Sequence, residues 1–145
     1  MMNNILLPLH LVFVGLWLGC VLTEVLFERA LLGQGRAHEL ILVRLHQRVD
    51  FFIETPAFLV VLITGALMLA ASNPSPALHA KIAIGLVAVV ANIYCVWLVF
   101  RRAKAAVAGQ WDEFARFDHL QHKFGAVVLV GILLALGVGL YLYGR

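Results

Sequence analysis

The sequence predicts an all-α fold, an integral membrane four-helix bundle, and three observations lead to this prediction. Of the 145 residues, 63% are hydrophobic and only 13% are charged, whereas soluble domains average about 45–50% and about 25%. Four apolar segments are close to the roughly 20 residues that a membrane-spanning helix needs. No strand pattern occurs along the sequence. We therefore expect residues 1–145 to form a single four-span transmembrane domain.

The first two spans differ in how they begin. The first runs from Asn4 to Phe27 and lacks the small-residue cleavage pattern of a signal peptide, so we expect it to stay in the bundle. The second is apolar from Thr55 to Ala71, but its helical pattern starts earlier, near Glu39. This early start predicts a helix that projects beyond the bilayer.

The third and fourth spans complete the bundle. They run from Ile82 to Phe100 and from Phe124 to Tyr143, with Gly109 breaking the chain between them. The second and third spans are joined by a short turn over residues 72–76, which contains two prolines, so these two helices should be antiparallel neighbours. The fourth helix, like the second, is expected to begin well before its apolar core.

Basic residues predict the orientation of the bundle. Nine of the eleven Lys and Arg residues lie in or beside the first and third connections, and such residues mark the cytoplasmic side. Both termini are then on the non-cytoplasmic side, in a membrane that we expect to be a bacterial inner membrane. The net charge is only +3 and forms no basic stripe, so the expected partner is the lipid bilayer and no nucleic acid.

Polar residues near the non-cytoplasmic ends of the spans form a first candidate layer, which contains His10, His79 and Lys81. At 100° per residue, His10, Trp17, Glu24 and Glu28 share one stripe of the first helix. Charged groups at membrane depth usually face the bundle interior. His10 is therefore either a hydrogen-bonded interior histidine or an axial ligand of a haem.

A second layer lies nearer the cytoplasmic side. His46, Asp50 and Glu54 follow one another at intervals of four, which places them on one helix face. One interpretation is a salt-bridge network, with Arg48, Arg101 and Lys123 near enough to compensate the acids. A second is a haem between His46 and a histidine of the fourth helix. A third is a metal site of mixed nitrogen and oxygen ligands, drawn from His46, His119, His122, Glu24, Asp50 and Glu54.

Three motifs carry a family resemblance. They are the run from His10 to Trp17, the run from Arg48 to Ala57 with Gly65 after it, and Leu78-His79-Ala80-Lys81. Together they resemble the HemJ-type membrane protoporphyrinogen IX oxidases and their copper-resistance D-like small membrane relatives, over roughly residues 10–104. The end of the first helix and the fourth helix differ from that family.

The resemblance implies a membrane protein that binds haem b and passes electrons to a membrane or cytoplasmic acceptor. The family's functional positions fall on His10, Arg48 and Lys81, with Trp17 and His79 in the same motifs. It also implies a helix distortion at Pro56, since a proline cannot donate to the carbonyl four residues earlier.

Two other functions remain open at this point. One is binding or transport of copper, zinc or iron through the His and carboxylate cluster, with or without a haem. The other is a structural or assembly subunit, either in a homo-oligomer or in a larger membrane complex. If the chain is an enzyme, we expect a haem-dependent oxidoreductase.

Overall fold

The computed structural model describes residues 3–73 and 75–144, which form four long helices joined by short connections. The helices are Asn3–Leu31, Arg36–Ala70, Pro76–Val107 and Trp111–Tyr143. Each is long and apolar enough to cross a membrane. The predicted all-α fold with four spans is confirmed, and no strand occurs within these described ranges.

Each helix extends beyond its apolar core, as expected for the second and fourth. Gly33, Gly35 and Gly109 adopt positive φ angles of 75°, 106° and 71° in the two connections that follow the first and third helices. Glycine adopts such angles without a steric cost. At the opposite end of the bundle, Ser75 caps the third helix by accepting a 3.3 Å hydrogen bond from the backbone N–H of Leu78.

The second helix is not regular throughout. It consists of an α-helix over Arg36–Val49, a π-helical segment over Asp50–Glu54 and an α-helix over Thr55–Ala70. The N–H of Thr55 donates to the carbonyl of Asp50, five residues earlier. Pro56 follows directly and has no N–H to offer the preceding turn. The predicted distortion at this proline is therefore present, and it takes the form of a π-turn.

The four helices pack in a ring, each against its neighbours in the chain, and the first also meets the fourth. The third and fourth helices form the most extensive pair. They approach each other closely at Gly131, where an added Cβ would lie 2.8 Å from the Cβ of Ala88. Small residues at such positions allow helix backbones to approach closely in membranes.

The distribution of side chains fits a lipid environment. Large apolar residues cover the outside of the bundle, with Val12, Val90 and Val130 more than half exposed. Polar and charged residues are buried inside, among them His10, His46, Asp50, Glu54, Asn92, Arg102 and Gln121. Lipid accepts an apolar exterior, and polar groups at membrane depth normally face the interior. The chain is therefore an integral membrane protein in its architecture.

Candidate functional site

His10 lies inside the half of the bundle that contains the connection between the second and third helices. It is 8% exposed, and its Nδ1 lies 2.8 Å from Oγ1 of Thr64 in the second helix. The Thr64 hydroxyl is 2.7 Å from the carbonyl of Val60, to which it donates its only proton. The Thr64 oxygen therefore accepts from His10, which places the imidazole proton on Nδ1 and leaves the Nε2 lone pair available.

Glycines and a lysine complete the surroundings of His10. A Cβ added to Gly65 would lie 3.4 Å from Cε1 of His10, so the imidazole packs directly against the second helix. Lys81 of the third helix interacts electrostatically with His10. Its Nζ would be 3.1 Å from a Cβ at Gly139 of the fourth helix. We call His10, Thr64 and Lys81 the His10 site, and all four helices contribute to it or pack against it.

A single hydrogen bond marks the middle of the bundle. The indole Nε1 of Trp17 donates to Oδ1 of Asn92 over 3.1 Å, and both side chains are almost fully buried. The ring of Trp17 also packs against Phe58, with 5.9 Å between the ring centroids. This bond fixes the orientation of the Asn92 amide, because the acceptor oxygen must face Trp17.

The other half of the bundle contains an ion-pair network around a fully buried arginine. Nη1 of Arg102 lies 2.7 Å from Oε1 of Glu28 and 2.5 Å from Oδ1 of Asp118. Nη2 of the same guanidinium contacts Nδ1 of His46, which is also 3.3 Å from the amide nitrogen of Gln121. We call Glu28, His46, Arg102 and Asp118 the Arg102 network.

His46 makes most of its polar contacts through one of its two ring nitrogens. Nδ1 faces Arg102, Gln121 and Oε1 of Glu28, the last at 3.2 Å. Nε2 is buried without a hydrogen bond of normal geometry, close to the backbone of Glu24. The two donors facing Nδ1 favour the tautomer with the proton on Nε2. In that tautomer His46 is not available as a metal ligand.

Three acidic side chains form a second cluster, adjacent to the Arg102 network. Glu24 of the first helix and Asp50 and Glu54 of the π-turn each offer a carboxylate oxygen, and these oxygens lie within 4.8 Å of one another. Asp50 and Glu54 are 2% and 3% exposed. We call these three residues the acid cluster.

The remaining residues predicted from the sequence lie apart from these clusters. His79 is exposed, and its Nδ1 contacts the carbonyl of Ser75 at the start of the third helix. Arg48 is exposed in a surface groove beside Phe51 and Phe100. His119 is exposed. The six metal-ligand candidates are thus divided, with the three acids together and the three histidines elsewhere.

His122 occupies the edge of the Arg102 network. Its Nδ1 lies 2.9 Å from the carbonyl of Asp118 and 3.5 Å from Oδ2 of the same residue, and its side chain is 48% exposed. Ligand atoms of Glu28, Asp118 and His122 also lie within 4.8 Å of one another. Both carboxylates of that group are, however, already paired with Arg102.

Arg102 is the main residue that the sequence reasoning missed. Arg101 was expected to compensate the acids, but it is exposed and its guanidinium lies over the rings of Trp97 and Phe117. In the third helix, intervals of three and four place four residues on one stripe, namely Asn92, Cys95, Val99 and Arg102. Following that stripe for about two turns beyond Cys95 identifies the buried arginine.

Thr64 and Gln121 were also missed. Both are neutral residues that are common in helices, and only the partner across the bundle, His10 or His46, gives each of them a role.

Comparison of the chain with known families, curated proteins and solved structures gives no match. The resemblance to the HemJ-type family stays a prediction from the three motifs.

Proposed function

We propose that this chain is an integral membrane electron-transfer protein that binds haem b, with Nε2 of His10 as a ligand of the iron. The observation that supports this proposal is the hydrogen-bond chain from His10 through Thr64 to the carbonyl of Val60. Histidines that ligate metals usually donate their other ring N–H to a fixed acceptor, which sets the tautomer. Thr64 is such an acceptor.

The residues around His10 fit a haem in two further respects. The Lys81 ammonium provides a positive charge beside His10 that can pair with a haem propionate. Gly65 and Gly139 allow the His10 and Lys81 side chains to lie directly against the second and fourth helices, which holds both groups in place. When bound, haem supplies one-electron chemistry, and the protein contributes the axial ligand and an apolar surrounding.

The proposal includes an orientation. The connections after the first and third helices carry most of the basic residues, and we infer that they face the cytoplasm. The His10 site then lies in the non-cytoplasmic half of a bacterial inner membrane, and the Arg102 network lies in the cytoplasmic half. About 14 residues, or about 21 Å of helix rise, separate the levels of His10 and Glu24.

An absorption spectrum of the purified full chain tests the proposal. We expect a Soret band and, by the pyridine haemochrome assay, about one b-type haem per chain. His10→Ala should lose the band. His38→Ala, which removes an exposed histidine from the start of the second helix, is the matched control and should retain it.

Two results would overturn the haem proposal. One is a colourless wild-type protein that takes up no haem when it is expressed with haem in excess. The other is a His10→Ala variant with the haem content and spectrum of the wild type. The first result, together with a stoichiometric partner in the purified material, would instead favour a structural subunit.

A further inference from the structure

The acid cluster is an unusual feature of the bundle because it concentrates negative charge at membrane depth. Glu24 comes from the first helix, while Asp50 and Glu54 come from successive turns of the second. One oxygen of Glu24 is buried without a hydrogen bond of normal geometry among the described residues, although the Glu24 carboxyl group contacts those of Asp50 and Glu54. An unpaired carboxylate in a low-dielectric interior costs several kcal/mol. The charge of the cluster is therefore compensated either by protons shared between the three carboxyl groups or by a bound cation.

No lysine or arginine in residues 5–73 and 75–144 supplies a compensating charge through an ion pair with Glu24, Asp50 or Glu54. Arg102 interacts electrostatically with Asp50. Its guanidinium is, however, already paired with two other carboxylates, those of Glu28 and Asp118. The Arg102 network has no excess positive charge to give to the acid cluster.

Asn92 is an independent indication that the acid cluster is a binding site. Its side chain is 2% exposed and lies against the Glu54 carboxylate, yet its Nδ2 makes no hydrogen bond of normal geometry among the described residues. Trp17 holds the opposite end of the amide, so the NH2 group must face Glu54. Ligating carboxylates are commonly held in this way by a donor behind them.

We propose that the acid cluster binds one oxygen-preferring divalent cation, with one carboxylate oxygen each from Glu24, Asp50 and Glu54. Two ligands on opposite sides of a Ca²⁺ ion are separated by about 4.6–5.2 Å, and around Mg²⁺ by about 4.0–4.2 Å. Oxygens that all lie within 4.8 Å of one another fit a single coordination sphere of this size. Carboxylate ligands suit Mg²⁺, Ca²⁺ and Mn²⁺.

This assignment differs from the mixed site that the sequence suggested. His46 directs Nδ1 to Arg102, His119 is exposed, and His122 is held at Asp118. The cation site therefore contains oxygen ligands only, and it is independent of a haem at His10. A cation bound here neutralises carboxylates that form no ion pair with a lysine or arginine among the described residues.

Binding of Mn²⁺ to the purified full chain, followed by electron paramagnetic resonance, tests the proposal. Free Mn²⁺ gives a sharp six-line signal that decreases when the ion is bound. After treatment with EDTA, the wild type should bind about one Mn²⁺ per chain. Glu24→Gln and Glu54→Gln each remove a charged ligand with little change in shape. Loss of a residue that only supports a metal ligand typically weakens metal binding by about 10–100-fold, so loss of a ligand should weaken Mn²⁺ binding by at least as much.

Two controls separate this site from other acidic groups. Glu113→Gln removes an exposed acid in the first turn of the fourth helix, and Glu28→Gln removes an acid of the Arg102 network. Both should bind Mn²⁺ much more tightly than Glu24→Gln and Glu54→Gln do, because neither Glu113 nor Glu28 supplies a ligand. Wild-type protein that binds no Mn²⁺ would overturn the proposal, because the cluster would then be compensated by protons.

Mn²⁺ binding of wild-type strength in both Glu24→Gln and Glu54→Gln would also overturn the proposal, since the ion would then bind elsewhere. Each variant must first give the helix content of the wild type by circular dichroism. Glu24→Asp keeps the charge but shortens the side chain, so it provides a second test if a glutamine variant does not fold. It should bind Mn²⁺ more weakly than the wild type.

Discussion

Trp17 and Asn92 are joined by a buried 3.1 Å hydrogen bond that connects the first and third helices between the His10 site and the acid cluster. Trp17→Phe should keep most of the packing against Phe58 but leave the Asn92 oxygen without its donor. We expect the free energy of unfolding to fall by about 1–3 kcal/mol. Denaturant titration in mixed micelles, followed by circular dichroism, measures this change.

The control for that variant is Trp97→Phe, which changes a half-exposed tryptophan on the outside of the third helix. Its effect on the free energy of unfolding should be smaller. An equal loss of stability in the two variants would contradict a special contribution from the buried hydrogen bond.

Thr64→Val should weaken haem binding without removing the ligand. The valine has nearly the shape of threonine but cannot accept the Nδ1 proton of His10. Loss of such a supporting contact typically lowers affinity by about 10–100-fold. Haem titration of apoprotein, read from the Soret band, checks this expectation.

Thr23→Val is the matched control for Thr64→Val. The Thr23 hydroxyl donates to the carbonyl of Gly19 on an exposed part of the first helix, away from His10. Haem affinity should not change in this variant. If Thr64→Val binds haem as tightly as Thr23→Val does, Thr64 has no part in positioning His10.

Arg102→Met should destabilise the bundle strongly. The substitution leaves the carboxylates of Glu28 and Asp118 without their shared cation. Removing one partner of a buried ion pair costs about 3–5 kcal/mol, and the same unfolding titration measures it. The triple variant with Glu28→Gln and Asp118→Asn should recover much of that loss.

Arg101→Met serves as the control in this series. Arg101 is exposed and stacks on Trp97 and Phe117, and exposed contacts of this kind contribute about 0.5–1 kcal/mol. A loss in Arg101→Met as large as that in Arg102→Met would show that charge at this end of the helix, rather than the buried network, determines stability.

Gly131→Ala should separate the third and fourth helices. The new Cβ would lie 2.8 Å from the Cβ of Ala88, so one of the helices must shift. Overpacking of this kind costs about 1–3 kcal/mol in unfolding free energy. At Gly137 an added Cβ meets nothing within 4 Å. Gly137→Ala should therefore leave stability unchanged or raise it slightly, and equal effects of the two variants would contradict the close contact.

The sequence alone predicts where the helices lie and which of their faces point into the bundle. Apolar length predicts four spans, and the spacing of His10, Trp17 and Glu24 correctly places them on the inward stripe of the first helix. The intervals of four between His46, Asp50 and Glu54 likewise predict a face that proves to be buried. These inferences need only the geometry of one helix.

The pairing between helices could not be read in the same way. Which acid meets Arg102, and whether His46 faces an acid or an arginine, depends on the rotation and depth of one helix relative to the next. Several polar residues at the same level offer nearly equivalent partners, as the expectation for Arg101 shows. The sequence therefore predicts which residues share a face of one helix, but it does not predict which residues of two helices contact each other.

The π-turn at Asp50–Glu54 determines how the second half of the second helix is rotated relative to the first half. A π-helical turn contains about one more residue than a turn of α-helix. If the same residues became α-helical, the segment Thr55–Ala70 would rotate about the helix axis by roughly the 100° that one residue spans. Thr64 would then turn away from His10, although ten residues separate it from Glu54. An ion that holds the acid cluster together would therefore keep the second half of this helix at the rotation that directs Thr64 towards His10. Binding at the acid cluster would then be coupled to the geometry of the His10 site in the other half of the bundle.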